Sequence, residues 1–249
     1  MTEKSFVHLH NHSEFSFIDG SSLLPSMASI CNDLNMPAIA LTDHGNLYGA
    51  VDFYNACRNK NIKPIIGCEF YVAPKSRFEK DPNYTYDHLT VLAKNNKGYS
   101  NLIKLVSKGN LEGFYYRPRV DKELLKEHSE GLIVLSGCPS SELFKKIISE
   151  DEKSIIETIN WYKDVFGDDY YLEIMRHEHI ENQEKANKWI IDNHKSLDLK
   201  IVATNDNHYE TKNDYEKEIL LKNVRSGSSN PRSDILEDNS YYITSPEEM

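Results

Sequence analysis

Short apolar runs rich in β-branched and aromatic residues alternate with helical patterns along almost the whole sequence. Repeated strand–helix units favour an α/β fold with a largely parallel sheet, and their number favours a barrel or near-barrel over an open doubly wound sheet. Neither GxGxxG nor GxxxxGK[ST] occurs, which argues against a dinucleotide or nucleoside triphosphate fold. The predicted strands are FVHLHNHS (6–13), AIALTDH (38–44), KPIIGCEFYVAP (63–74), HLTVLAKN (88–95), LIVLSGC (132–138), YYLEIM (170–175) and KIVATNDNHY (200–209).

The chain is acidic, with a formal net charge of −10 over 249 residues. A broad attraction to DNA or to an anionic membrane is therefore not expected, and any nucleic-acid contact should be local. No apolar run approaches the roughly 20 residues needed to cross a bilayer, so no membrane partner is expected. The four cysteines are widely spaced and the N-terminus lacks an apolar signal segment, which predicts reduced thiols and a cytoplasmic location.

Three of the ten histidines stand at every second position of one short stretch. In an extended strand His8, His10 and His12 share one face, because successive side chains point to opposite faces. Imidazoles that converge at the end of a strand suit a metal ion, whereas a polar strand face explains this pattern equally well on its own.

Further potential ligands stand at or near the carboxyl ends of other predicted strands. They are Asp43, His44, Glu69, Cys138, Asp206 and His208. Taken singly, TDHG suits a polar turn and Cys138 suits a small core residue, whereas a buried Glu69 needs a metal ion or an ion pair. In barrel enzymes the catalytic residues gather at the face formed by the carboxyl ends of the strands. Because several independent strands carry potential ligands at that end, the sequence predicts one site.

Several segments, taken in order, resemble the PHP (polymerase and histidinol phosphatase) domain at the N-terminus of bacterial DNA polymerase III alpha subunits. They are FVHLHNHSEFSFIDG, MPAIALTDHGNLYGAVDFY, IKPIIGCEFYVAP, HLTVLAKNNKGYSNLIKLVS, LEGFYYRPRVDKELL and IVATNDNHY. HxH, TDH and DxH are common to PHP phosphatases, whereas GFYYRPR and the sequence between the motifs are more specific. The resemblance implies a distorted seven-stranded (β/α)7 barrel of TIM type over residues 1–225, followed by a linker towards the polymerase palm region over residues 226–249.

The resemblance also implies a ligand set for up to three divalent metal ions. Carried over residue by residue, it falls on His8, His10, Asp19, His44, Glu69, His88, Cys138, Asp206 and His208. Imidazoles and a thiolate favour Zn²⁺, or Mn²⁺ with the carboxylates, over Mg²⁺. Asp43 and His12 are expected to orient ligands or assist proton transfer, although a surface role for His12 is an equal alternative.

A site of this composition predicts metal-assisted phosphoester hydrolysis, and the resemblance implies a 3′–5′ exonuclease that proofreads DNA 3′ ends. One alternative is a structural metal-binding domain that stabilises the polymerase and docks a separate proofreading exonuclease subunit. A third interpretation is a free-standing phosphatase of the histidinol phosphate type. The expected partners are DNA 3′ ends and the remaining polymerase domains. Polymerisation itself is not expected, because the family's polymerising carboxylates lie further along the full chain.

Overall fold

The computed structural model describes residues 5–17, 19–83, 85–226 and 239–249. The chain divides into two compact units. The first unit comprises Met1–Asp43, Tyr48–Ile66 and Thr204–Met249, and the second comprises His44–Leu47 and Gly67–Ala203. Helices and strands alternate in both, so the fold is mixed α/β, as the sequence predicts.

The helices and strands are numbered here in chain order. The helices are α1 (Leu24–Asp33), α2 (Ala50–Asn59), α3 (Asn96–Leu111), α4 (Lys122–Glu127), α5 (Glu142–Ile148), α6 (Glu152–Phe166), α7 (Gln183–Asn193) and α8 (Tyr215–Ser226). The strands are β1 (Ala38–Leu41), β2 (Lys63–Val72), β3 (Asp87–Ala93), β4 (Arg119–Val120), β5 (Leu132–Leu135), β6 (Tyr170–Ile174) and β7 (Lys200–Ala203).

The first unit is built around α1, α2, β1 and the first four residues of β2. Strand β1 pairs with β2 in parallel, with Ala38 opposite Lys63 and Leu41 opposite Ile66. All four residues of β1 are buried, which suits a parallel strand covered on both faces. The buried apolar core consists of Leu24, Met27, Ala28, Cys31, Met36, Ile39, Leu41, Phe53, Cys57, Ile62 and Ile243.

The second unit contains a sheet in the order β2–β3–β5–β6–β7, with the short β4 paired to β2. Strands β5, β6 and β7 are parallel, as predicted, but β3 runs antiparallel to both of its neighbours. Parallel neighbours need a crossover, usually a helix, and the described residues between β2 and β3 form none. The predicted largely parallel sheet is therefore wrong at β3.

The predicted first strand, residues 6–13, is also wrong in detail. This stretch pairs only through isolated bridges, including His8 with Ile39 and Asn11 with Asn207. The Asn11 side chain donates to the carbonyls of His8 and Ala40 at 3.0 and 2.9 Å, and such local bonds compete with a regular ladder. The described residues contain seven strands only because they include the two-residue β4, which the sequence did not indicate.

The C-terminal stretch packs into the first unit. Tyr241 and Ile243 are buried there, although residues 226–249 are predicted to be a linker. Residues 227–238, between α8 and residue 239, lie outside the described residues, and the predicted boundary at residue 225 stays a prediction. Within the described ranges, no helix combines the length and the apolar character needed to cross a bilayer.

Candidate functional site

In the second unit, three potential ligands meet around the carboxylate of Glu69, itself a fourth. Its Oε2 lies 2.7 Å from Nδ1 of His44, and its Oε1 lies 3.0 Å from Nδ1 of His88. The Sγ of Cys138 is 3.4 Å from the same Oε1 and 3.6 Å from Nδ1 of His88. Glu69 is only 1% exposed, so this carboxylate depends on these partners for compensation of its charge. We call these residues the Glu69 cluster.

Strand register positions the Glu69 cluster. Glu69 pairs with Thr90 across the antiparallel β2–β3 ladder, and Tyr71 pairs with His88. Glu69 and His88 are therefore diagonal neighbours on one face of the sheet, where side chains reach each other. His44 joins them through a parallel bridge to Glu69.

A turn after β5 brings Cys138 to the same carboxylate. Gly137 has φ of +92°, a conformation that favours glycine, and a Cβ there would lie 2.9 Å from the His88 carbonyl oxygen. Its N–H donates to Oε2 of Glu173 at 2.9 Å. The close approach of this turn to β3 holds the thiol beside His88.

In the first unit, three imidazoles surround the carboxylate of Asp206. Its Oδ1 lies 3.3 Å from Nε2 of His10, 3.1 Å from Nε2 of His12 and 3.7 Å from Nδ1 of His208. The rings of His12 and His208 stack with centroids 4.4 Å apart. We call these residues the Asp206 cluster.

Irregular backbone, rather than strand register, builds the Asp206 cluster. Strand β7 ends at Ala203, and Asp206 has φ of +50°, in the left-handed region that aspartate tolerates better than most residues. Two backbone bonds tie this stretch to the N-terminal histidines: His12 N–H donates to Asn207 O at 2.7 Å, and Asn207 N–H donates to His10 O at 3.1 Å.

The charge state of Asp206 follows from its neighbours. Burial by itself raises the pKa of the Asp206 carboxyl, but the nearby His10 and His208 and the hydrogen bond from His12 outweigh burial. The pKa therefore lies well below its ordinary value, and the carboxylate stays ionised. An ionised oxygen among imidazoles is a suitable donor set for a divalent cation.

Asp43 is linked to His12 through the hydroxyl of Ser16. Its carboxylate accepts hydrogen bonds from Ser13 N at 2.7 Å, Ser13 Oγ at 2.8 Å and Ser16 Oγ at 2.8 Å. Because the Ser16 hydroxyl donates to Asp43, it accepts from Nδ1 of His12, 3.0 Å away. This leaves Nε2 of His12 directed at Asp206. The sequence predicts an orienting role for Asp43 but gives no signal for the serines, whose contact depends on the turn.

His8 has different neighbours from His10 and His12. Its Nε2 lies 2.9 Å from the Thr244 carbonyl, to which it donates, and its Nδ1 accepts from the Asn207 amide at 3.0 Å. Burial lowers the pKa of His8 to about 4, despite the bond to Thr244, so the ring is neutral. Both ring nitrogens are thus engaged. The shared face predicted for a regular strand does not apply here, because the stretch is irregular.

Asp19 lies in the turn that follows the histidines. Its N–H donates to the Ser16 carbonyl at 3.0 Å, and one of its carboxyl oxygens is buried. Its assignment as a metal ligand stays a prediction, as do the other eight positions of the set.

The donor atoms suit divalent metal ions in both units. His44, Glu69 and His88 can each offer one ligand atom, and these atoms lie within 4.8 Å of one another. Distances of this size leave room for one cation between the donors, since metal–ligand bonds are about 2.0–2.3 Å long. Together with the thiol of Cys138, nitrogen, oxygen and sulfur donors are all present. In the first unit, the tautomer of His12 also suits metal binding, because its Nε2 faces Asp206.

Known proteins resemble this chain in sequence and in fold. It is 40% identical to the DNA polymerase III subunit alpha of Chlamydia pneumoniae, in an alignment that covers 98% of this chain and 22% of the relative. The corresponding subunit of Borreliella burgdorferi is 41% identical, again over 98% of this chain and 22% of the relative. The chain thus spans about a fifth of the length of these relatives.

Solved structures resemble the chain at lower identity. A protein assigned as a metal-dependent phosphoesterase from Bifidobacterium adolescentis aligns with a TM-score of 0.50 at 13% identity, covering 84% of this chain and 88% of that one. A two-domain protein from Bacteroides vulgatus, described as containing a PHP-like metal-dependent phosphoesterase, gives 0.51 at 16% identity over 85% and 54%. At such identities the similarity shows the fold alone. The model of the PHP domain family matches residues 8–177, more than half of the sequence, and the chain therefore belongs to the PHP domain family.

Proposed function

We propose that this chain binds divalent metal ions and hydrolyses phosphodiesters, with DNA 3′ ends as its substrate in the 3′–5′ direction. The observation that carries the proposal is the buried carboxylate of Glu69, with His44, His88 and Cys138 around it. A buried carboxylate with two imidazoles and a thiol is a costly arrangement for a core and a suitable one for a cation.

The starting point for the ligand set is the nine residues carried over from the family, and the geometry favours His12 in place of His8. The Nε2 of His12 faces Asp206 while Ser16 accepts from its Nδ1, which is how a ligating imidazole is usually oriented. His8 fits less well, since Asn207 and Thr244 occupy its two nitrogens. We therefore propose that His8 positions its neighbours and that His12 ligates.

Each residue has a defined task in the proposed reaction. Bound divalent cations supply the positive charge that stabilises an attacked phosphate and lower the pKa of water. Glu69 and Asp206 hold the negative charge that retains cations, and burial keeps their geometry fixed. Asp43, through Ser16, fixes the tautomer of His12. Zn²⁺ and Mn²⁺ match these donors better than Mg²⁺, which prefers oxygen ligands.

The relatives suggest the cellular context. Because they are DNA polymerase III alpha subunits, we propose that the chain serves DNA replication in the cytoplasm together with the remaining polymerase domains. Polymerisation would then belong to segments outside this chain. We also propose that the strands form the distorted seven-stranded barrel expected from the family.

A structural role is the second candidate, in which the metals stabilise a domain that docks a separate proofreading exonuclease subunit. The near-complete burial of Glu69, His10 and His12 favours it, because structural metal sites are closed to solvent.

One experiment separates the two candidates. Metal-replete protein is assayed on labelled single-stranded and mispaired DNA 3′ ends, with elemental analysis of the same sample. Hydrolysis that stops with chelator and with His10→Ala supports the enzyme, whereas stoichiometric metal without turnover supports the structural role. Faster turnover of small phosphomonoesters than of DNA ends would instead indicate a free-standing phosphatase.

A further inference from the structure

A short hairpin follows α3 in the second unit, in the sequence GFYYRP (113–118). The Tyr115 N–H donates to the Arg117 carbonyl at 3.0 Å, which places Tyr116 at the tip with φ of +60°. A left-handed backbone is rare for a bulky aromatic residue, so the surrounding structure must hold this tip in shape. Tyr116 is 73% exposed and Phe114 is 53% exposed. Two large aromatic rings therefore face solvent on a constrained turn.

A buried arginine joins this hairpin to the loop after β2. Nε of Arg119 donates to the Gly113 carbonyl at 3.1 Å, and its Nη2 donates to the carbonyls of Arg77 and Glu79 at 3.1 and 2.8 Å. The loop thus fixed carries Phe78, which is 58% exposed. We call Phe78, Phe114 and Tyr116 the aromatic platform.

The hairpin also contacts the segment that carries His44. Gly45 has φ of +62°, and a Cβ there would lie 2.7 Å from Cγ of Pro118 and 3.4 Å from the Tyr71 ring. The end of the hairpin therefore packs directly on the residue after His44.

Arg117, which follows Tyr116 in the hairpin, reaches towards the Glu69 cluster through Tyr71. Its guanidinium carbon is 5.8 Å from the centre of the Tyr71 ring. Tyr71 in turn stacks on His44 at 5.6 Å and meets His88 edge-on at 5.2 Å. One aromatic ring thus separates a cation from two potential metal ligands.

We propose that the aromatic platform and Arg117 bind the single-stranded end of a nucleic acid whose phosphodiester is hydrolysed at the metal ligands. Exposed rings stack on unpaired bases of any sequence, and a guanidinium pairs with a backbone phosphate. Bases held in a duplex cannot stack in this way, so the platform selects frayed or mispaired ends. This inference rests on the proposed function, because it supplies the substrate of the same site.

The test is the affinity of the 249-residue chain for a fluorescent oligothymidylate of about ten nucleotides. Anisotropy is measured in chelator, so that the ligand is not consumed. Tyr116→Gly removes the ring and also suits the positive φ, so thermal stability should not fall. We expect its Kd to rise about fivefold or more, because the loss of one stacked base weakens binding by at least this factor. Tyr116→Trp keeps a stacking ring and should bind within about twofold of the parent.

Two controls identify the cause of a weaker affinity. Tyr54→Ala removes a similarly exposed tyrosine from α2 in the first unit and should leave the Kd unchanged. An abasic oligonucleotide, which retains the phosphates, should bind parent and Tyr116→Gly equally. Photocrosslinking of 5-iododeoxyuridine near the 3′ end should label Tyr116 or Phe114.

Other outcomes would contradict the inference, and they differ from the outcome that would contradict the proposed function. Equal oligonucleotide affinity of parent, Tyr116→Gly and Phe114→Ala, with hydrolysis of DNA ends intact, overturns the platform alone. So does a parent chain that fails to bind the oligonucleotide, or a Tyr116→Gly variant that loses only its association with other polymerase domains. A metal-replete chain that hydrolyses no phosphodiester overturns the proposed function, whatever the platform binds.

Discussion

Glu69 lies inside a regular strand and meets His88 across an antiparallel ladder, whereas Asp206 lies beyond the end of β7 with φ of +50°. Strand pairing brings Glu69 and His88 together, an isolated bridge adds His44, and the turn after β5 adds Cys138. The Asp206 cluster depends on backbone bonds between two irregular stretches, His12 to Asn207 and Asn207 to His10. A regular ladder tolerates side-chain replacement, whereas irregular loops depend on each of their polar contacts.

The two clusters also differ in chemistry. The Glu69 cluster combines a carboxylate, two imidazoles and a thiol, whereas the Asp206 cluster combines one carboxylate with three imidazoles. Thiolates are selective for soft or borderline cations. The Glu69 cluster should therefore be the more selective for Zn²⁺, and the Asp206 cluster the more sensitive to changes in its supporting loops.

The largest effect is expected from Glu69→Gln, which removes the charge around which His44, His88 and Cys138 are arranged. We expect the rate of phosphodiester hydrolysis to fall on the order of 100- to 1000-fold, since preorganised charge at a reacting phosphate is worth this much. Steady-state assays in saturating Mn²⁺ measure it. The matched control is Glu142→Gln, whose carboxylate pairs with Lys122 and Lys146 instead and whose loss should leave the rate unchanged. Equal losses in both variants would contradict the assignment.

The second-largest effect is expected in the pH dependence of the free energy of unfolding, through His8 in the first unit. Because the pKa of His8 is about 4 in the fold and about 6.5 in an unfolded chain, the unfolded state binds more protons between these values. Stability from neutral His8 is complete above pH 6.5 and is lost as the pH falls towards 4, by about 3 kcal/mol. Urea unfolding of metal-free protein at several pH values tests this. His8→Gln should flatten the dependence, and an unaltered profile would refute it.

A comparison of substitutions at His12 and His8 tests which of the two histidines belongs to the Asp206 cluster as a ligand. His12→Gln should weaken metal binding or activity by roughly 10- to 100-fold, because Nε2 of His12 faces Asp206. His8→Gln should change metal affinity less and stability more, since it removes the bonds to Thr244 and Asn207. Isothermal titration with Mn²⁺ and thermal melts compare them. The reverse ranking would restore His8 as the ligand.

The smallest effect is expected from Cys138→Ser, which keeps the size of the side chain and replaces the thiolate by a hydroxyl. Zn²⁺ affinity should fall by about tenfold while Mn²⁺ affinity changes less, because manganese prefers oxygen ligands. Competition with a chromogenic chelator measures both affinities. Cys68→Ser, at a buried cysteine of the same strand as Glu69, is the control for effects on folding. Parallel losses for both metals would show that the thiol does not select zinc.

Strand positions were predicted well where the run is mainly apolar. The run AIALTDH contains β1, and HLTVLAKN covers all of β3 except its first residue, Asp87, because apolar runs report burial directly. Glu69 was singled out because a carboxylate in an apolar strand needs a partner, whereas His88 was proposed only from the family resemblance. The direction of β3 was missed, because it depends on a connection whose path the strand pattern does not encode.

The ligand candidates were determined by the sequence, because only residue types with donor atoms can bind a cation, and those residues stand in recognisable motifs. Tertiary structure decided how they are arranged. The alternation rule placed His8 with His10 and His12, but an irregular backbone directed His8 to Thr244 and Asn207 instead. Ser16, Asn207 and the left-handed Asp206 act through contacts between segments far apart in the chain, and no local pattern specifies such contacts.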